Sequence, residues 1–585
     1  MILLDRHTAR HRQKDEDAGG TGLGVVDIGL ETSSRNDNKI LKLTMASVKS
    51  AIDTISADIN VETLVIGPGH ISGEKTSDRL RFMNYPPCQE ILGHCRLKEF
   101  PKARDRTVLI PKMSSPWKEV VQKKCERRER LIKAHLGHVN GERDIAAAIL
   151  DISDVNELVQ KYASEKVLVQ DATRAYIRRA VEVHRLTNCL TEILFDEALT
   201  QADALDSYFR QHGKLLGPLH GVPITLKDQF NVKGVDTTLG NPEFTPGGST
   251  GGEAVLLALQ GSMIGWGTDL GGSIRIPAHI NGLWGFKPTS SRLPYQGVPV
   301  STEGQEHVPS AIGPMARSLS SLTTIMKCVL DGKPWVLDPK VTPIPWRQEA
   351  FHAAQSQSLT IGILLDDGVV KVHPPIERVL KELDAKIKAA GHEVVNWDPS
   401  GHKECIEIMD LFYTADGGED IRREVEAGGE HFIPHVEALI NRGQPISVYE
   451  YWQLNKRKVA AQRAYNDKWN TIKAPRSGRL VDVILMPTMP HPAVPHRTCR
   501  WVGYTKVWNF LDYPALSFPA GMVDASKDAA VPIYEPRNEY DFWNWKLYDP
   551  KTMDGNPIGL QIVGRRFEEE KVLGVASVLE KLMKG

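Results

Sequence analysis

Residues 359–397 constrain the fold more than any other stretch of this 585-residue chain. LTIGILL (359–365) is a short aliphatic run of the kind a buried strand needs. PPIERVLKELDAKIKAAG (374–391) follows, with Ile376, Val379, Leu380, Leu383 and Ile387 on one stripe of an amphipathic helix. HEVVNW (392–397) is a second strand. Strand, helix and strand in that order predict a crossover between parallel neighbours, and so an α/β architecture. VDVILMP (481–487) and GLQIVG (559–564) read as further buried strands, and EEEKVLGVASVLEKLM (568–583) as a closing helix. Upstream, WKEVVQKKCERRERLIKAHL (117–136), VNELVQKYASEK (155–166) and DATRAYIRRAVEVHRLTNCL (171–190) have the spacing of helices lying on a core. Val222–Leu226 reads as a short strand, and Thr250-Gly-Gly-Glu253 as a capping box opening the helix EAVLLALQ. Residues 1–110 are polar, broken by GPG at 67–69 and Pro86-Pro87, with one strand-like run, VETLVI (61–66). They are expected to form a poorly ordered N-terminal extension to a domain spanning 111–585.

Composition works by exclusion. A net charge of −1 gives no general attraction for nucleic acid or an anionic membrane. Seven scattered cysteines without a CxxC pair argue against a disulfide framework or a zinc site and for a reducing compartment. No apolar run reaches bilayer length, and MILLDRHTAR is too short for a secretory signal, so a cytoplasmic protein is expected.

GWGTDLGGSIRIP (265–277) holds four glycines in eight positions, then Ser273 and, two residues on, Arg275. Glycine runs weaken regular elements and mark close backbone approach. Successive free N–H groups there can hold an oxyanion beside a nucleophilic serine. Alone, the stretch is more simply an ordinary turn. Lys227 at a strand end reads first as a solvated lysine, and Ser249 in GGSTGG as part of a helix entry. A lysine buried beside hydroxyls, however, loses its proton more readily and can act as a base. The three segments in this order are far more informative than any one of them. Rival motifs fail. G-x-S-x-G at 247–251 lacks the preceding strand that a nucleophile elbow needs, because NPEFTP carries two prolines. Ser115-Pro-Trp-Lys118 stands without SDN or KTG partners, and GWGTDLGG misses the dinucleotide spacing. His212, His220 and His279 have no metal-ligand spacing.

With its lysine segment GPLHGVPITLKDQF (217–230) and signature GGSTGGEAVLLALQGSMIGWGTDLGGSIRIP (247–277), the chain resembles the amidase signature family. The resemblance continues through GLWGFKPTSSRLP (282–294), GPMARSLSSL (313–322), FLDYPALSFPAG (510–521) and NPIGLQIVGRRFEEEKVL (556–573), and looks most like the fungal acetamidases. It implies a mixed twisted sheet sandwiched between helices, and an amidase that converts linear carboxylic acid amides to the acid and ammonia or an amine. In that pattern Ser273 is the nucleophile, Lys227 the base and Ser249, on a cis peptide, the proton relay. Backbone N–H groups of Leu270, Gly271, Gly272 and Ser273 would form the oxyanion hole, with Thr268, Asp269 and Arg275 shaping the loop. No cofactor and no metal is implied. The expected partner is a small-molecule amide, neither nucleic acid nor a membrane, with a homodimer as the admissible assembly.

The chain departs from the family in one place. Lys227 and Ser249 are 22 residues apart, and GVDTTLG runs straight into NPEFTPGG. The family's interval is longer by a helix and a strand, a crossover unit of about thirty residues or more. Twenty-two residues extend to roughly 70 Å, so the lysine can still meet the serine. Two readings follow: an active amidase with a shortened core, or an amidase-like protein whose catalysis is impaired by the loss of a core βα segment.

Overall fold

A computed structural model describes residues 116–136, 143–237, 247–529 and 534–585. The expectations for residues 1–110, including the strand at 61–66, lie outside the described residues.

The core is one nine-stranded mixed sheet packed between helices. Its strands are β1 (Ile224–Leu226), β2 (Ile264–Asp269), β3 (Trp284–Lys287), β4 (Ala311–Ala316), β5 (Thr360–Ile363), β6 (Glu393–Asn396), β7 (Val483–Pro487), β8 (Ala515–Met522) and β9 (Pro557–Val563). The spatial order is β1-β2-β4-β3-β8-β9-β7-β5-β6. The crossover expected at 359–397 is present: β5 pairs in parallel with β6, Thr360 opposite Glu393, and helix Pro374–Ala389 connects them. Its five stripe residues are all buried, because a helix lying on a sheet turns its apolar stripe inward. Parallel pairing recurs at β5–β7 and β1–β2, while β2–β4, β3–β4, β3–β8, β8–β9 and β7–β9 are antiparallel. Helices form at Pro116–Leu136, Val155–Ala163, Val169–Thr187 and Glu569–Lys584, where the periodicity places them. Among the described residues, no helix is long and apolar enough to cross a membrane.

Two local expectations change. Where the sequence suggests a glycine-rich turn, the chain forms the strand β2. Its glycines are there because helix Gly251–Ala258 lies directly against it: a Cβ on Gly267 would stand 2.7 Å from Thr250 Oγ1. The capping box is not formed. Thr250 is the N-cap residue, but its hydroxyl donates to Thr268 O (3.3 Å), and the Glu253 carboxylate accepts from the Thr225 hydroxyl of β1. Tertiary partners on neighbouring strands outbid the local cap.

Candidate active site

β1 and β2 run side by side in parallel, and the site assembles at their ends. Lys227 extends the ladder one residue past β1, its N–H donating to Trp266 O (3.0 Å). Its side chain is buried, and Nζ donates to Ser249 Oγ (2.7 Å) and Thr268 Oγ1 (2.6 Å); Thr268 in turn donates to Gln229 Oε1 (2.7 Å). Burial brings the ammonium down to about 8, against the opposing pull of Asp269 and Glu253. At neutral pH a tenth or so of such amines is unprotonated, roughly two orders of magnitude more than for a solvated lysine. Burial also lifts the Glu253 carboxyl to about 7, the Thr225 hydrogen bond and Lys227 opposing the shift.

Ser249 approaches the lysine from Gly247-Gly248. No peptide bond among the described residues is cis, which corrects the cis geometry the resemblance implied. Gly247, at φ +80°, supplies the reversal of the chain, so the contact with Lys227 forms on an all-trans backbone.

Ser273 sits in a loop built around a buried charge pair. The Asp269 carboxylate, fully buried, accepts from the N–H groups of Gly272 (2.8 Å) and Ile274 (3.2 Å), and from Arg275 Nε (3.0 Å) and Nη2 (2.9 Å). Asn509 donates to Asp269 Oδ1 (2.9 Å) and to its carbonyl (3.0 Å), and Arg275 also donates to Asn509 Oδ1 (2.7 Å) and Gln561 Oε1 (3.2 Å). Burial alone would raise the Asp269 carboxyl, but the charge and hydrogen bonds of Arg275, with help from Lys287 and Asn509, hold it well below the usual carboxylate range. Gly272 adopts φ +126°, and a Cβ there would come within 2.7 Å of Ile276 Cδ1, so glycine is required.

The loop's carbonyls are gripped from outside: Tyr413 donates to Leu270 O (2.9 Å) and Thr505 to Gly271 O (2.6 Å). In a trans peptide C=O and N–H point opposite ways, so Tyr413 turns the Gly271 N–H away from itself. The Gly272 N–H is already engaged by Asp269. Of the four groups that the resemblance assigns to an oxyanion, those of Leu270, Gly271 and Ser273 are left without a protein acceptor among the described residues. Ser249 and Ser273 are brought close through their neighbours. Thr250 N donates to Ser273 O (3.1 Å), and Ser273 Cα lies 3.2 Å from where a Cβ on Gly248 would stand. No hydrogen bond between the two hydroxyls is formed among the described residues, so the link Lys227–Ser249 is closed and the link Ser249–Ser273 is open. Gln229, Tyr413, Thr505, Asn509 and Gln561 were not singled out from the sequence. Asn509 stands directly before FLDYPALSFPAG and Gln561 inside NPIGLQIVG, stretches to which the sequence assigns no role in the site.

A family model described as Amidase matches residues 171–243 and 240–573, two pieces that meet between Lys227 and Ser249. Amidase 1 of Gibberella moniliformis is 50% identical over 526 aligned positions, covering 80% of this chain and 100% of that protein. Since 80% of 585 residues is about 468, about 58 of those positions have no counterpart in this chain. The acetamidase of Aspergillus oryzae is 35% identical, covering 74% of this chain and 90% of that protein. Among solved structures, a fatty acid amide hydrolase is 31% identical with a TM-score of 0.69, covering 82% of this chain and 92% of that one. The chain belongs to the Amidase family.

Proposed function

We propose that this protein hydrolyses amides of linear carboxylic acids through Ser273, Ser249 and Lys227, with an acyl-enzyme intermediate. The observation that carries the reading is a buried Lys227 amine, brought down to about 8, bonded at 2.7 Å to a serine that adjoins the Ser273 loop. Neutral Lys227 takes the Ser249 proton while Ser249 takes that of Ser273, whose Oγ attacks the amide carbon. The N–H groups of Leu270, Gly271 and Ser273 receive the developing oxyanion. On collapse the proton returns through Ser249 to the departing nitrogen, and water then releases the acid. The relay closes when a bound amide draws the Ser273 hydroxyl toward Ser249, a tightening common between free and occupied sites. The acetamidase relative supports small amides as substrates. Five described cysteines are free, which supports a reducing, cytoplasmic setting. A fluorophosphonate probe is expected to label the protein, and Ser273→Ala to abolish labelling. Labelling that survives this change but disappears with Ser249→Ala overturns the assignment. Across amides from acetamide to oleamide, turnover is expected to favour the short ones; preference for the longest chain overturns that part.

The reading of an impaired enzyme is favoured by a different observation. β1, directly before the base, is a three-residue edge strand, half-buried throughout and, among the described residues, paired with β2 alone, close to where the family match divides. An edge of that kind is where a lost helix and strand would have packed.

A further inference from the structure

The helix Gly503–Phe510 is buried at every one of its eight positions, yet it carries a lysine. Thr505 grips the Gly271 carbonyl, and the next residue, Lys506, runs its stem along the same loop: Cγ is 3.5 Å from where a Cβ on Gly271 would stand, and the Tyr413 hydroxyl is 3.9 Å from that point. Lys506 Nζ is paired with Asp410 and lies 5.4 Å from the centre of the Tyr413 ring. The two partners are held differently. The Lys506 side chain is 11% exposed and fixed by its helix, whereas that of Asp410 is 44% exposed and can return to water. Arg442 adds a second positive charge to the neighbourhood of Lys506.

We propose that Lys506 is a specificity-determining residue, and that the protein takes amides whose acyl part carries a carboxylate, which replaces Asp410 on the Lys506 ammonium. The inference rests on the catalytic reading above, because it places the substrate by the N–H groups of Leu270 and Gly271. A carbonyl oxygen held there leaves its acyl substituent beside Gly271, where the lysine stem passes. A carboxylate a few carbons along meets an ammonium already desolvated by the protein. Asp410, its own side chain half in water, regains hydration when it leaves, which offsets part of the pairing it gives up. A neutral chain of equal length gains nothing from the cation and leaves the pair in place.

The test measures kcat/KM for the monoamide of butanedioic acid and for butanamide in the full chain, in Lys506→Met and in Asp410→Asn, with fluorophosphonate labelling of Ser273 as a separate readout. A hydrogen bond to a charged partner is worth about 10- to 100-fold. The expected result is that the acid-to-neutral ratio of kcat/KM falls by at least about tenfold in Lys506→Met and rises in Asp410→Asn, where the competing carboxylate is gone. Opposite movement of one ratio is something a general loss of structure cannot produce. An unchanged ratio in both variants overturns the proposal, as does a wild-type preference for butanamide, provided the probe labels Ser273. A chain that neither labels nor turns over either amide overturns the catalytic reading, and this inference with it.

Discussion

Replacing Lys227 by methionine is expected to abolish amide turnover and, at pH 7, to make the fold more stable. The side chain is nearly isosteric, so packing changes little. The lysine titrates at about 8 in the folded protein against 10.5 when solvated, which corresponds to roughly 3 kcal/mol of stability forgone when the ammonium is buried at neutral pH. The folded state binds fewer protons than the unfolded chain between those two values, so wild-type stability rises with pH from about 8 to 10.5 and is flat below 8. The methionine chain has no such term. Its advantage is therefore largest below pH 8 and shrinks steadily as pH rises toward 10.5. The two lost hydrogen bonds to Ser249 and Thr268, about 1 kcal/mol each, subtract from the gain and leave about 1 kcal/mol at pH 7, against the 5–15 kcal/mol that keeps a domain folded. Urea unfolding of both proteins at pH 7 and pH 10 measures the difference directly. The same lysine sets the wild-type pH–rate profile, which is expected to climb about tenfold between pH 7 and 9 and then level, as the neutral fraction of a base near 8 does. A variant no more stable than wild type at pH 7, or a bell-shaped profile centred near 6.5, refutes the reasoning.

Asp269→Asn leaves Arg275 buried without its counter-charge, and unfolding free energy in urea is expected to drop by about 3–5 kcal/mol. Burial holds His373 and His402 down to about 3 and His491 to about 4, so each stays neutral in the fold. Their contribution is complete above pH 6.5 and is lost as pH falls, about 2 kcal/mol per histidine at pH 5, which thermal melts between pH 7 and 5 will show. Inserting a family-length helix and strand between Gly240 and Asn241 is expected to raise both the melting temperature and acetamide turnover, each newly buried side chain adding about 1.5–3 kcal/mol. Equal melting and equal turnover with and without the insertion rule out a structural role for it.

What could be read from the sequence follows a physical divide. Ile376 to Ile387 announce their helix because burial alone sets their spacing. β2 does not announce itself, since Gly265 and Gly267 answer to a neighbouring helix rather than to strand propensity. Thr250 and Glu253 look like a local cap and are used elsewhere, by Thr268 and Thr225. Motif order singles out Lys227, Ser249 and Ser273, and of these the structure joins Lys227 to Ser249 directly. The residues that tie the loop in place, Tyr413, Thr505, Asn509 and Gln561, were not legible, because a hydrogen-bond partner 140 to 290 positions away leaves no periodic trace.

The same long-range closure has a consequence for biosynthesis. Arg275 is joined to Asn509, 234 residues later, and to Gln561, 286 residues later. At about 5–20 residues per second, a ribosome delivers Asn509 roughly 10 to 50 s after Arg275. Throughout that interval the nascent chain carries its serine and lysine without the clamp that shapes the loop around them. A polypeptide that stops before Asn509 would hold Lys227, Ser249 and Ser273 and still lack the side chains that brace the Ser273 loop. Synthesis through Gln561 is thus a built-in timer on when the loop around Ser273 takes its final shape.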